Sequence, residues 1–238
     1  HQWGLHIYLG KFGAGKTCSM VRDAYFICKR YPDVTIITNL KLENFPEDTK
    51  ILPLTCIQDI LNAPDDTVVL IDEIGTIFNS RDFANGKTKD GEGGLPKILF
   101  QHICQCRHRH LVIYGTVQRW GFLEKQLREI TNDVTVCSAF PFHPFSRMIT
   151  NWVYDAEEYN LFYQSPIRPL APLSGEVWIQ SDFFRNLYDT QEMVNTLLTM
   201  EYISDEDIER NRQFEALGLP APMDKKGEKK LRNNLRNR

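Results

Sequence analysis

The segment Gly10-Lys11-Phe12-Gly13-Ala14-Gly15-Lys16-Thr17 constrains the fold more than any other part of the chain. It matches the pattern G-x-x-x-x-G-K-[ST] and stands between an apolar run, 5–9, and a helical pattern, 17–30. Glycines let such a loop wrap around phosphates, and the start of a helix presents unpaired N–H groups. A glycine-rich turn before an ordinary helix is the alternative, but the context predicts binding of ATP with Mg²⁺ by this loop and by Cys18 after it.

Apolar runs rich in β-branched residues alternate with helical segments along the first 140 residues. Alternation of this kind predicts a mainly parallel sheet flanked by helices. The runs lie at 5–9, 34–38, 68–72, 111–117 and 134–140, and the linking helices are expected at 17–30, 56–62, 96–106 and 123–130.

Two adjacent acidic residues, Asp72 and Glu73, end the third apolar run. A P-loop needs a carboxylate on the metal side, so Asp72 and the Thr17 hydroxyl are predicted to hold Mg²⁺, while Lys16 reaches the β and γ phosphates. Glu73 is placed to take a proton from an attacking water. Two acids after a strand can equally form a helix N-cap, but the loop that precedes them favours a catalytic pair.

Gln118 ends the apolar run 111–117, and a glutamine there can bond both the γ-phosphate and the attacking water. If its strand lies between the P-loop strand and the Asp-Glu strand, the layout is that of the additional-strand division of P-loop ATPases. Otherwise Gln118 is a strand-end residue that bonds the backbone. We expect an α/β fold of the additional-strand, RecA-like P-loop NTPase class: a mainly parallel central sheet flanked by helices, plus a small, mainly helical C-terminal extension.

An arginine from a neighbouring subunit often completes sites of this kind. A fixed cation stabilises the charge that spreads over the γ-phosphate in the transition state. Four arginines flank the Gln118 strand, and their chemistry alone does not choose between them: Arg107, Arg109, Arg119 and Arg128.

Several segments together resemble the Zot-like branch of the FtsK/HerA ATPases. They are the P-loop, Thr38-Asn39, Ile71-Asp72-Glu73 followed by Asn79-Ser80-Arg81, and Arg107-His-Arg-His-Leu-Val-Ile-Tyr-Gly-Thr-Val-Gln118, all within roughly the first 140 residues. The resemblance assigns phosphate and metal positions to Lys16 and Thr17, the Walker B pair to Asp72 and Glu73, the sensor to Gln118 and the trans-acting arginine to Arg107.

The same resemblance implies a motor that hydrolyses ATP and moves DNA or a DNA-protein complex in phage genome packaging or virion assembly. It implies a homo-oligomeric ring, hexameric or pentameric, that works with capsid or assembly proteins in the host cytoplasm, on the virion or at the periphery of the inner membrane. The alternatives are a membrane-associated Zot-like ATPase of filamentous-phage secretion and a P-loop nucleotide switch. Filamentous-phage members carry a membrane segment, whereas no apolar run of about 18 to 20 residues occurs in this chain.

Composition suggests three parts: a P-loop ATPase core at 1–145, a hairpin and helical extension at 146–223, and a basic tail at 224–238. The extension is expected to contain a hairpin around 148–154 and helices at 181–187, 190–200 and 205–216. The tail carries seven lysine and arginine residues against two acidic ones, a net charge of +5. Such a tail can lie on nucleic acid or an anionic membrane, or remain a solvated end.

Two further segments allow more than one interpretation. Five histidines and cysteines within 102–110 suggest zinc, but helical residues two apart point away from each other, which favours packed thiols. The segment 85–94, with Lys87 and Lys89, suits either sequence-independent contact with DNA or a solvated loop.

Overall fold

The computed structural model describes residues 3–55, 57–75, 103–141, 147–166 and 169–189, with the backbone alone at 57 and 107. Along the chain the strands and helices are β1 (Gly4–Leu9), α1 (Lys16–Arg30), β2 (Thr35–Thr38), β3 (Lys41–Leu42), β4 (Lys50–Pro53), α2 (Ile57–Leu61), β5 (Thr67–Ile71), β6 (Val112–Val117), α3 (Lys125–Ile130), β7 (Thr131–Phe140), β8 (Met148–Asp155), α4 (Ala156–Gln164), β9 (Ser174–Ile179), α5 (Asp182–Arg185) and β10 (Tyr188–Asp189). Two 3₁₀ turns, Cys106–Arg109 and Trp120–Phe122, lie before and after β6.

Eight strands form one sheet in the order β4-β2-β5-β6-β1-β7-β8-β9. The first six strands in this order are parallel, and β6 pairs with β1 on one side and with β5 on the other. The strand that ends at Gln118 therefore lies between the P-loop strand and the Asp-Glu strand. This order confirms the predicted additional-strand fold with its mainly parallel sheet.

The central strands are buried on both faces because helices cover both sides of the sheet. Every residue of β2, β5 and β6 is buried, which explains why these strands are continuous apolar runs without alternation. On one face, α1 packs through Met20, Val21 and Ala24. On the other face, α2, α3 and α4 pack through Ile60, Leu127 and Ala156, respectively.

The sheet continues beyond residue 145 through two antiparallel strands. β8 pairs along its whole length with β7, and β9 then pairs with β8. The structure thus differs from the hairpin expected around 148–154: that segment is one strand of eight residues, and the buried side chain of Asn151 at its centre bonds to Ser19 and Glu176. The helix expected at 181–187 is the shorter α5, and most of the helix expected at 96–106, as well as those at 190–200 and 205–216, lies outside the described residues.

α4 is a helix that the sequence patterns did not predict. Its N-cap is Asp155, whose carboxylate accepts hydrogen bonds from the backbone N–H groups of Glu157 and Glu158 at 3.0 Å each. An acidic cap followed by two acidic residues is favourable at a helix N-terminus. The division of the chain after residues 145 and 223 remains a prediction.

A polar network ties α1 to the antiparallel strands. Ser19 Oγ donates to Asn151 Oδ1 at 3.1 Å, and Asn151 Nδ2 donates to Glu176 Oε1 at 3.2 Å. Arg22 completes the network with a two-pronged bond to Glu176, at 2.5 and 3.0 Å, and its guanidinium lies 4.5 Å from the centre of the Trp178 ring. The bond from Arg22 lowers the pKa of Glu176. The helix that follows the P-loop thus packs directly on β8 and β9.

The longest described helix is α1, with 15 residues. Within the described part of the chain, no helix is both long enough and apolar enough to cross a membrane.

Asp23 provides a test of the packing between α1 and the sheet. Burial raises the pKa of Asp23 to about 6, although Tyr8 Oη donates to its carboxylate at 2.7 Å. A raised carboxyl pKa means that the native state binds the proton more tightly than the unfolded chain does, so wild-type stability falls as pH rises from about 4 to 6. Asp23→Asn removes this titration. Its free energy of unfolding should therefore increase relative to that of the wild type by up to about 3 kcal/mol between pH 4 and pH 7.5.

Denaturant unfolding of both proteins across that range measures the difference. If the difference in the free energy of unfolding between the two proteins does not change with pH, the raised pKa of Asp23 is contradicted.

Candidate nucleotide-binding site

The loop between β1 and α1 has the backbone that a phosphate cradle requires. Gly13 and Gly15 have positive φ angles of 74° and 84°, and Gly15 caps α1 directly before Lys16. L-residues with side chains rarely adopt these angles. A Cβ atom at Gly10 would lie 2.6 Å from the carbonyl oxygen of Cys137. The glycines of the motif are thus required by local conformation at two positions and by close packing at a third.

The side chains of the loop divide into buried and exposed ones. Lys16 is only 7% exposed, and its Nζ donates to the carbonyl oxygen of Lys11 at 3.3 Å. Ala14 is buried, whereas Phe12 is 84% exposed. Burial raises the pKa of the Cys18 thiol, which donates to a backbone carbonyl on α5. Cys18 therefore offers a nucleotide its backbone N–H rather than its side chain.

Thr17 and Asp72, the two predicted metal ligands, are brought together. Thr17 Oγ1 donates to Asp72 Oδ1 at 2.8 Å, across 55 residues of sequence. The same Oδ1 accepts a second bond, at 2.7 Å, from Thr116 Oγ1 on β6. Asp72 is 8% exposed. Its carboxylate is therefore held by one hydroxyl from α1 and by one from the inserted strand.

Asn39 holds the backbone of Asp72 from the other side. Its Nδ2 donates to the Asp72 carbonyl oxygen at 3.1 Å, and its Oδ1 accepts the Asp72 N–H at 2.9 Å. Asn39 follows the end of β2, which neighbours β5 in the sheet. One amide side chain thus replaces both backbone partners that Asp72 would find if β2 continued.

Glu73 adopts a conformation that is rare for a residue with a side chain. Its φ angle is 52°, in the left-handed region, which costs about 1 kcal/mol or more for such a residue. The Glu73 N–H donates to Thr116 Oγ1 at 2.8 Å, and Gln118 Nε2 donates to Glu73 Oε1 at 3.1 Å. Thr116 of β6 therefore holds the backbone of Glu73, and Gln118, which directly follows β6, holds its carboxylate.

These residues fit a bound Mg²⁺ ion and a triphosphate. Mg²⁺ prefers oxygen ligands, and Thr17 and Asp72 supply a hydroxyl and a carboxylate. Because the Thr17 proton is directed to Asp72, the lone pairs of the Thr17 oxygen remain available to a cation. The positive φ angles at Gly13 and Gly15 suit a loop whose N–H groups turn toward an anion.

Two of the four candidate arginines lie before β6, at the sheet edge opposite the P-loop. Arg107 is on the 3₁₀ turn Cys106–Arg109, and its side chain lies outside the described part of the structure. Arg109 is bound within its own chain: Nη1 donates to the Leu61 carbonyl oxygen at 2.9 Å, Nη2 donates to that of Ala63, and Nε lies 3.5 Å from Asp65 Oδ1. Arg109 therefore anchors the turn that carries Arg107.

The other two arginines follow β6. Arg119 is exposed beside Gln118, with its guanidinium 5.8 Å from the centre of the Phe122 ring. Arg128 lies on α3, and its buried Nε has no hydrogen-bond partner among the described residues. Which arginine acts in trans remains a prediction.

The cysteine and histidine segment before β6 provides no metal site within the described residues. Cys106 is buried in the core, and burial raises its pKa to about 12, as expected for a packed thiol. His102 and the segment 85–94 lie outside the described residues.

The sequence patterns did not identify Thr116 as part of the site, and they gave Asn39 no role. One signal was present for Thr116: it lies two residues before Gln118 and therefore on the same face of its strand. That signal becomes specific only when the neighbouring strands are known.

The strand order and the site define this chain as an additional-strand P-loop NTPase in fold. No protein-family model matches the sequence, and no curated protein is significantly similar to it. Similar solved structures include the N-terminal domain of zonular occludens toxin from Neisseria meningitidis, with 17% identity over 79% of this chain and 100% of that one and a TM-score of 0.49. The DNA-packaging ATPase B204 of Sulfolobus Turreted Icosahedral Virus shares 10% identity over 65% and 93% of the two chains, with a TM-score of 0.44. The flagellar accessory protein FlaH of Methanocaldococcus jannaschii shares 15% identity over 64% and 77%, with a TM-score of 0.43. These similarities concern the fold alone.

Asn39→Asp tests whether the clamp on the Asp72 backbone matters. The substitution places a carboxylate oxygen against the Asp72 carbonyl, so we expect the free energy of unfolding to fall by about 1 to 3 kcal/mol. The rate of ATP hydrolysis should fall about tenfold while the affinity for ATP stays within about threefold, because the phosphate loop is untouched.

The matched control is Asn44→Asp, at an exposed asparagine whose Nδ2 donates to the Asn186 carbonyl oxygen at 2.8 Å. Chemical unfolding and steady-state kinetics of both variants provide the comparison. Equal effects on the rate from Asn39→Asp and Asn44→Asp would contradict the role of the clamp.

Proposed function

We propose that this protein hydrolyses ATP at the P-loop and uses the energy to move DNA, or a DNA-protein complex, during phage genome packaging or virion assembly. The observation that supports hydrolysis is one continuous hydrogen-bonded chain from Thr17 through Asp72, Thr116 and Glu73 to Gln118. A site that only stores nucleotide needs the loop but does not need a carboxylate held next to the metal ligands. The chain therefore favours a hydrolase over a nucleotide switch.

Each residue of the site has a separate task. The N–H groups of the loop and the Lys16 ammonium bind the phosphates, and Thr17 and Asp72 hold the cation. Mg²⁺, when bound, neutralises charge on the phosphate oxygens. Glu73 accepts the proton of the attacking water, and Gln118 orients that water and the γ-phosphate.

The hydrogen bonds explain why Glu73 rather than Asp72 is assigned as the base. Asp72 Oδ1 accepts hydrogen bonds from two hydroxyl groups, and Asn39 holds the Asp72 backbone, so the Asp72 carboxylate is fixed beside Thr17, where it can hold the cation. Glu73 has a rare backbone conformation, and its Oε1 accepts a hydrogen bond from Gln118, the residue proposed to orient the water. Residues in such strained conformations cluster at active sites, and Glu73 is next to the residue that orients the water, so Glu73 is the better candidate for the base.

The motor function and the ring rest on the sequence resemblance and on the position of Arg107. The strand β6 separates the Arg107 turn from Gln118, and its six residues span about 20 Å. Arg107 is therefore remote from the P-loop of its own chain, and it can complete a site only in a neighbouring copy. The basic stretch at 224–238 agrees with a nucleic-acid substrate.

Purified protein should hydrolyse ATP in the presence of Mg²⁺, at a rate that rises when DNA is added. Lys16→Ala should lose nucleotide binding, because the phosphates lose the buried lysine that follows the last glycine of the motif. Glu73→Gln should keep nucleotide binding but hydrolyse about 10² to 10⁴ times more slowly, because an amide cannot accept the proton. Phosphate release and the binding of a fluorescent ATP analogue measure the two properties.

Lys125→Ala and Glu129→Gln make the same chemical changes at an exposed pair on α3 and serve as controls. If the rate of hydrolysis does not change with DNA and the protein does not assemble, the motor function is excluded. The proposed ATPase activity would still stand.

Mixing Arg107→Ala subunits with Lys16→Ala subunits tests the arginine across the interface. If Arg107 acts in trans, mixed rings contain some interfaces that pair an intact P-loop with an intact arginine, so part of the activity should return. Arg109→Ala is the comparison: it should lower stability because the anchor to Leu61 and Ala63 is lost, and mixing should not restore that stability. Absence of rescue at every mixing ratio would exclude Arg107 as the trans-acting residue.

A further inference from the structure

Thr116 occupies the one position of β6 that is level with the catalytic carboxylates. In the pairing of β5 with β6, Ile71 is opposite Gly115, so the next residue of each strand, Asp72 and Thr116, lies at the same level. Thr116 is completely buried. Its hydroxyl group contacts the side chain of one Walker B residue and the backbone of the other.

The direction of these two hydrogen bonds follows from the groups involved. A backbone N–H can only donate, so Thr116 Oγ1 accepts the bond from Glu73 N at 2.8 Å. The single proton of the hydroxyl is then available for Asp72 Oδ1, at 2.7 Å. A hydroxyl group can accept from one group and donate to another through a single atom, which an apolar side chain of the same shape cannot do.

We infer that Thr116 is a positioning residue that holds Asp72 and Glu73 as one unit with β6. This inference rests on the proposed ATPase function. By accepting the Glu73 N–H, Thr116 stabilises the left-handed backbone conformation that Glu73 needs in order to face Gln118. By donating to Asp72, it keeps the Asp72 carboxylate directed toward Thr17.

Gln118 makes this arrangement sensitive to the position of β6. Gln118 directly follows β6, two residues after Thr116, and the two side chains contact the carboxylate and the backbone of the same glutamate, respectively. The end of β6 is therefore joined to both Asp72 and Glu73 through Thr116. The loss of its hydroxyl should disturb catalysis and the hold on Mg²⁺ more than the binding of the phosphates.

The substitutions Thr116→Val and Thr116→Ser separate the hydroxyl group from the shape of the side chain. Valine has the same shape without the hydroxyl, and serine keeps the hydroxyl. We expect Thr116→Val to lower kcat about 10- to 100-fold and to raise KM for ATP in the presence of Mg²⁺ at least fivefold, and Thr116→Ser to stay within about threefold of wild type in both. Thr116→Ala serves as a second hydroxyl-free variant if the valine protein does not fold.

The matched control is Thr67→Val. Thr67 is also buried in the sheet, but its hydroxyl donates to the Pro64 carbonyl oxygen at 2.7 Å, at the opposite end of β5. It should lower Tm without changing kcat. If Thr116→Val behaves like Thr67→Val, or if Thr116→Ser is as defective as Thr116→Val, the inference is wrong.

A binding measurement tests the same inference without hydrolysis. In the Glu73→Gln background, the affinity for a fluorescent ATP analogue is measured with and without Mg²⁺, and again after adding Thr116→Val. We expect the gain in affinity due to Mg²⁺ to fall at least fivefold in the double variant, whereas affinity without Mg²⁺ should not change. An unchanged Mg²⁺ effect would overturn the role of Thr116. Wild-type protein that binds ATP but never hydrolyses it would instead overturn the proposed function.

Discussion

The backbone pairing of β6 between β1 and β5 is the interaction on which the site depends. Parallel strands end at the same edge of a sheet, so this pairing brings the P-loop, the Gln118 end and the two acidic residues together. The Gly10 N–H donates to the Val117 carbonyl oxygen at 3.3 Å, which continues the pairing into the first residue of the loop. The groups proposed to act in catalysis therefore come from the ends of three adjacent strands and from the start of one helix.

The helix that follows the loop is supported from two sides. Its apolar residues pack on the central strands, and its Ser19 and Arg22 bond to β8 and β9. A Cβ atom at Gly15 would lie 2.4 Å from Ile149 Cδ1 of β8, so the loop itself contacts the antiparallel part of the sheet. β8 therefore lies directly against the phosphate loop, and β9 supports the helix that follows the loop through Glu176 and Arg22.

Much of the fold was predictable because the central strands have a strong local signal. The apolar runs at 5–9, 68–72 and 111–117 correspond closely to β1, β5 and β6, since strands buried on both faces must be apolar throughout. β4 and β9 were missed because all but one of the six residues of β9 are exposed and none of those in β4 is fully buried. Strands at the edges of a sheet carry little periodicity, and their existence depends on a neighbour that the local sequence does not reveal.

By itself, the sequence determined the nucleotide loop, the Asp72-Glu73 pair and Gln118, because each is a local pattern with a physical requirement for its residue types. Only the tertiary structure decided that Asn39 clamps Asp72 and that Thr116 joins Asp72 to Glu73. Those contacts link residues 33 to 44 positions apart, and they exist only in one strand order and one register. A shift of β6 by a single residue would turn Thr116 to the opposite face of the sheet, and no local pattern in the sequence specifies that register.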